Sequence, residues 1–342
     1  MRILLPLLTL VLAACGGGED PAAGAIQGAT DKLRQGDLPG GIEALLATHS
    51  QHPDSVDAAV AAAYGAYLSR DWETADRILA EIQPKAEERK GEITVRRALV
   101  ALARGDLDQT RALGEASGQP AGALLAAEVA LADGERDKAA ALLQTAGSSP
   151  DRRVADTARA YLTLLGDGDP RVQGLSEAQA LWALGSRQVA VRSAEELVMS
   201  LPADHPSRPE SLLLWAGRAA AAGETQVASN LVESVGFPPQ GQQWRVQATR
   251  GIVACAEGDA ARCAGLLDGL TDVAPPGGLA DARATAAILL VSKDPEAAKA
   301  IAGTEPSPSV ARALLAAGDG RSAAELLAGG PLDAFLSAGG GG

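Results

Sequence analysis

From about residue 22 onward, apolar positions recur at helical spacing in short windows, and each window closes on a compact turn signal. The signals are Gly36-Asp37, Arg70-Asp71, Gly105-Asp106, Gly134-Glu135, Gly185-Ser186, Gly223-Glu224, Gly258-Asp259, Lys293-Asp294 and Gly318-Asp319. Glycine ends a helix in the left-handed conformation, and an acid beside it favours the positive N-terminus of the next helix. The pattern therefore predicts helical hairpins, several of whose turns lie 34 or 35 residues apart.

Small residues keep step with the turns. Seven residues before each mark stand Ala29, Ala63, Ala98, Ala127, Ala178, Ala216, Gly251, Ala286 and Ala311. Five residues after it stand Gly41, Ala75, Thr110, Ala139, Ala190, Ala228, Cys263, Ala298 and Ala323. Paired helices approach closely only where facing side chains are small, so both series predict helix contacts. Apolar pairs follow, as in Leu45-Leu46, Ile78-Leu79, Leu142-Leu143 and Leu266-Leu267. The segment Gly166-Asp167-Gly168-Asp169-Pro170 breaks the register and predicts a hairpin whose second helix is short or lost.

The small residue early in the first helix, the turn, and the small residue in the second resemble the tetratricopeptide repeat, a helix-turn-helix unit. The resemblance implies an all-α fold, an α-solenoid of stacked helix-turn-helix hairpins with a superhelical course, over residues 22–330. The family's aromatic positions are mostly Ala or Leu here, and its closing proline is irregular. Carried onto this chain, the family's concave groove falls on Tyr64, Tyr67, Leu99, Leu102, Glu128, Arg283 and Arg312, the expected partner-binding residues. The clamp of basic residues and asparagine with which some members hold C-terminal carboxylates is absent from the matching positions.

Composition agrees with helices and adds little chemistry. Aromatics make up only 3% of the chain, while Ala and Leu, the strongest helix formers, recur throughout. A formal net charge of -13, with no basic stripe, argues against nucleic acid.

The first residues carry a different signal. Arg2 precedes an apolar run from Ile3 to Leu12, and Leu12-Ala13-Ala14-Cys15 leads into Gly16-Gly17-Gly18-Glu19-Asp20. Charge, a short apolar core and small residues are the layout of a secretory signal. The cysteine after the small pair resembles the lipobox of bacterial lipoproteins, which implies cleavage before Cys15 and its lipidation. The expected organisation is a signal peptide over 1–14, a tether over 15–21, the helical array over 22–330, a capping helix over 331–338 and a disordered glycine tail over 339–342. Gly16 after the cysteine favours the outer membrane, facing the periplasm.

In that oxidising compartment Cys255 and Cys263 are left as a pair flanking one turn. They read either as a structural disulfide or as two small buried side chains. His49, His52 and Asp54 lack a fourth zinc ligand and read as a loop. Asp167 and Asp169 lack the glycine and glutamate of a calcium loop. His205 has no nucleophile beside it in sequence, and the dispersed Trp72, Trp182, Trp215 and Trp244 read as fillers between hairpins. No catalytic residue, metal or cofactor is expected.

These features point to a lipid-anchored envelope scaffold that binds a protein or peptide along its hairpins. Resemblance in the loop Leu201 to Glu210 suggests an accessory subunit of an outer-membrane assembly or secretion machine. An enzymatic or solute-binding lipoprotein is the alternative of another class.

Overall fold

A computed structural model describes residues 21–34, 37–236 and 241–303. Among the described residues there are seventeen α-helices and no strand. Cys15, Arg312, the expected cap and the glycine tail lie outside them. Two compact units divide the chain at Gly166 and Asp167, where the repeat register breaks.

The first unit holds α1 (Ala23–Arg34), α2 (Leu38–Gln51), α3 (Val56–Leu68), α4 (Trp72–Ile82), α5 (Lys90–Arg104), α6 (Leu107–Ala116), α7 (Pro120–Ala132), α8 (Arg136–Gly147) and α9 (Arg152–Leu165). Neighbours in sequence pack as antiparallel pairs, and α1 on α3, α5 on α7 and α7 on α9 bring the first helices of successive hairpins together. Helix α9 has no hairpin partner of its own: Gly166 caps its end and Asp169 already caps the helix that follows.

The second unit holds α10 (Pro170–Ala183), α11 (Arg187–Ser200), α12 (Arg208–Ala221), α13 (Thr225–Glu233), α14 (Gln243–Glu257), α15 (Ala260–Asp268), α16 (Pro276–Leu290) and α17 (Pro295–Ala302). Here α12 packs on α14, and α14 on α16.

One local device makes most of the hairpins. At Arg70, Gly105, Gly134, Gly185, Gly223 and Gly258 the backbone turns left-handed, with φ between 62° and 93°. The next residue's N–H then bonds back five positions, as in Asp71 to Ala66 O at 2.9 Å, Asp106 to Ala101 O at 2.9 Å and Glu135 to Ala130 O at 2.8 Å. This is the Schellman closure of a helix end. The same residue also opens the next helix: the side chains of Asp71, Asp106 and Asp259 accept from Thr74, Gln109 and Arg262 N–H at 3.0 Å.

Every described member of the two small-residue series is buried, none more than 3% exposed where a value is given. Close approach is the reason. A Cβ on Gly41 would come within 2.4 Å of the Leu33 side chain, and one on Gly251 within 3.0 Å of Leu267. Leu45, Leu79, Leu143 and Leu267 fill the space between the helices.

Candidate functional site

Of the residues expected to line a groove, those in the first unit are mostly buried. Helix α3 buries every residue from Ala58 to Tyr67. Tyr64 and Tyr67 are only 5% and 4% exposed, and Tyr67 meets Trp72 edge-on at 4.9 Å between centroids. Burial pushes both phenols up to about 12. They are interior packing rather than partner contacts, because an alanine-rich helix enclosed by neighbours has no exposed stripe. Leu102 is buried as well, and Leu99 is half-buried against the same core.

Glu128 is buried too, at 7% exposure on α7. Its Oε1 accepts from the hydroxyl of Tyr161 on α9 at 3.1 Å. Burial pushes the carboxyl up to about 7, against the opposing pull of that hydrogen bond. It serves the interior and is closed to a partner. Arg283 is half-buried in the second unit and donates to Asp268 at 2.9 Å.

Cys255 and Cys263 are fully buried and disulfide-bonded, with Cα atoms 5.3 Å apart. The bond staples α14 to α15 across the Gly258 turn.

The remaining polar motifs are occupied by local structure. His49 Nδ1 is buried without a hydrogen-bond partner, and burial lowers the imidazole's pKa. Asp54 pairs with Lys85. His205 Nδ1 accepts from Ser207 N–H at 3.2 Å. Asp167 accepts from Asp169 N–H, and Asp169 accepts from Arg171 N–H, both at 2.8 Å. The Arg171 side chain then holds Asp169 down to about 2. These two acids build a turn and a helix cap. Among the described residues no group of three or more His, Cys, Asp or Glu side chains is placed to hold a metal ion. No described helix is long and apolar enough to cross a membrane.

Two polar constellations had no sequence signal, since each joins separate helices. In the first unit, Arg89 binds both Asp57 and Glu92, and Glu92 also faces the buried Arg96 at 2.6 Å. In the second, Trp182 of α10 and Trp215 of α12 meet edge-to-face at 6.4 Å. Arg218 lies 4.5 Å from the Trp215 ring and 5.5 Å from that of Trp182, while Arg187 of α11 stacks on Trp182 at 5.4 Å. Trp215 is enclosed; Trp182, Arg187 and Arg218 are half-buried, and the Arg218 Nη1 atom is itself buried.

An open groove of about 630 Å³ runs beside α2 and the end of α3, lined by Pro39, Ile42, Glu43, Leu46, Ala47 and Leu68 among others. Among the described residues, Glu43 is its single titratable lining residue.

No family model matches this chain, and no curated protein does. Among solved structures, it is similar to the crystal structure of the TPR domain of P58(IPK), at 14% identity. That alignment covers 87% of this chain and 98% of the other, with a TM-score of 0.23.

Proposed function

We propose that the chain is a lipid-anchored, non-catalytic scaffold of a bacterial envelope that holds a protein or peptide partner against its stacked hairpins. The carrying observation is architectural: hairpins repeat in rows within each unit, joined by one recurring turn. Such rows offer much surface for little interior, which suits recognition of extended partners. The tetratricopeptide-like turn and small-residue pattern supports the same reading. Cys15 behind Leu12-Ala13-Ala14 supports the anchor, and the Cys255–Cys263 disulfide fits an oxidising compartment. Within this reading, service as an accessory subunit of an outer-membrane assembly or secretion machine is the more specific role, with the protein facing the periplasm.

Two measurements test it. Cells expressing the chain should incorporate labelled palmitate into it, and Cys15→Ser should abolish the label; label retained by the variant overturns the anchor. Photo-crosslinkers at the exposed positions Leu214 and Ile288 should each recover a discrete partner. Recovery of none overturns the scaffold.

A further inference from the structure

We propose that the Arg187–Trp182–Arg218 face of the second unit docks an acidic segment of a partner protein. The inference rests on the scaffold reading above and gives the partner its chemistry.

Charge complementarity carries it. In this acidic chain, guanidinium groups usually lie beside carboxylates: Arg111 with Asp133 and Glu135, Arg245 with Glu210, Arg262 with Glu257. Arg187 is different. No described carboxylate pairs with it, and it stacks on the Trp182 ring instead. Stacking uses the face of a guanidinium and leaves its in-plane N–H fork for a carboxylate.

The turn beneath it lacks negative charge as well. The residue after the left-handed position is Asp71, Asp106, Glu135, Glu224 or Asp259 in the other five turns, but Ser186 here. Ser186 makes no side-chain cap, and Arg187 is the first residue of α11. A cation there meets the positive helix end rather than a favourable partner. A second guanidinium, Arg218, lies over the same indole. The Arg187 guanidinium is thus a local positive charge that long-range repulsion from distant acids, screened over about 8–10 Å, does not cancel.

The site has an apolar flank. Leu214 is 44% exposed and stands one helical turn before Arg218 on α12, so the two share a face. The occupant that fits is a segment carrying carboxylates with an aliphatic residue between them.

Full-length protein in detergent micelles, titrated into a fluorescein-labelled dodecapeptide of alternating Glu and Leu, tests this by fluorescence anisotropy. The same peptide with Lys for Glu is the control. The Glu peptide should bind and the Lys peptide should not. Arg187→Glu should weaken binding by about tenfold or more, the loss of a charge-assisted contact. Glutamate suits the first turn of a helix, so this variant retains its fold, checked by circular dichroism. Arg192→Glu, on the same helix, alters a residue near Glu224 and should leave binding within about twofold. Absence of binding by the wild type, equal binding by Arg187→Glu, or equal loss in Arg192→Glu overturns the proposal. If crosslinks from Leu214 and Ile288 still trap the same partner in Arg187→Glu cells, the scaffold stands and this face alone falls.

Discussion

The Tyr161 hydroxyl donates to Glu128 Oε1 at 3.1 Å, joining α9 to α7 between two side chains that are 1% and 7% exposed. Of the cations on neighbouring helices, Arg97 pairs with Asp76, Arg111 with Asp133 and Lys138 with Glu115. The acid is buried and takes its hydrogen bond from a phenol.

A pH dependence follows. The folded carboxyl titrates at about 7 and the unfolded one near 4.5, so the folded state holds the proton more tightly. The contribution of this group to stability is greatest below the unfolded value, falls as pH rises through this window, and levels off above about 7. The loss is on the order of 3 kcal/mol across that window. Glu128→Gln keeps the shape and stays neutral. It should unfold at higher urea than the wild type at pH 8 and at a similar concentration at pH 4.5. An unchanged difference between the two pH values would show that Glu128 is not the titrating group.

Arg70 alone among the described non-glycine residues has a left-handed backbone, with φ 62°, at a place where five other turns use glycine. A side chain in that region costs about 1–2 kcal/mol, partly offset by glycine's greater unfolded freedom. Arg70→Gly should raise stability by about 0.5–1 kcal/mol, measured by urea denaturation. A lower midpoint would mean that the arginine side chain contributes more than its backbone costs.

The hairpins were legible because their causes are local. A left-handed residue followed by an acid can be read from two adjacent letters, and Gly105-Asp106 and Gly258-Asp259 fold as those letters imply. The buried small positions, such as Ala75 and Ala139, follow from the same register. What faces solvent was not legible. Helix α7 buries nine of its residues from Gly122 to Leu131, Glu128 included, and a helix apolar nearly all round has no polar stripe to reveal its outer side. Tyr64 and Glu128 therefore looked like groove residues although both point inward. The Arg187–Trp182–Arg218 face has no signature in the sequence because three different helices supply it.

The disulfide should contribute measurably. Cys255 and Cys263 are separated by 8 residues, and closing so short a loop restricts the unfolded chain by about 2–3 kcal/mol. Cys255→Ala with Cys263→Ala should lower stability by that amount, and reductant should then have no further effect. Free-thiol titration of the unfolded wild type without reductant should find neither cysteine. Two reactive thiols would show that the pair is not bonded in cells.

Two glycines separate packing from helix propensity. Gly122 on α7 crosses Gly114 on α6 so closely that a Cβ would lie 2.6 Å from the Gly114 carbonyl oxygen and 2.1 Å from Ser117 Oγ. Backbone cannot retreat cheaply, so Gly122→Ala should destabilise by about 1–3 kcal/mol. Gly217, inside α12, has nothing within 4 Å of the same position. There alanine only relieves glycine's poor helix propensity, and Gly217→Ala should stabilise by about 0.5–1 kcal/mol. Opposite shifts in the urea midpoint are expected from one identical chemical change. Shifts of the same sign would mean that α6 and α7, which belong to successive hairpins, do not approach so closely.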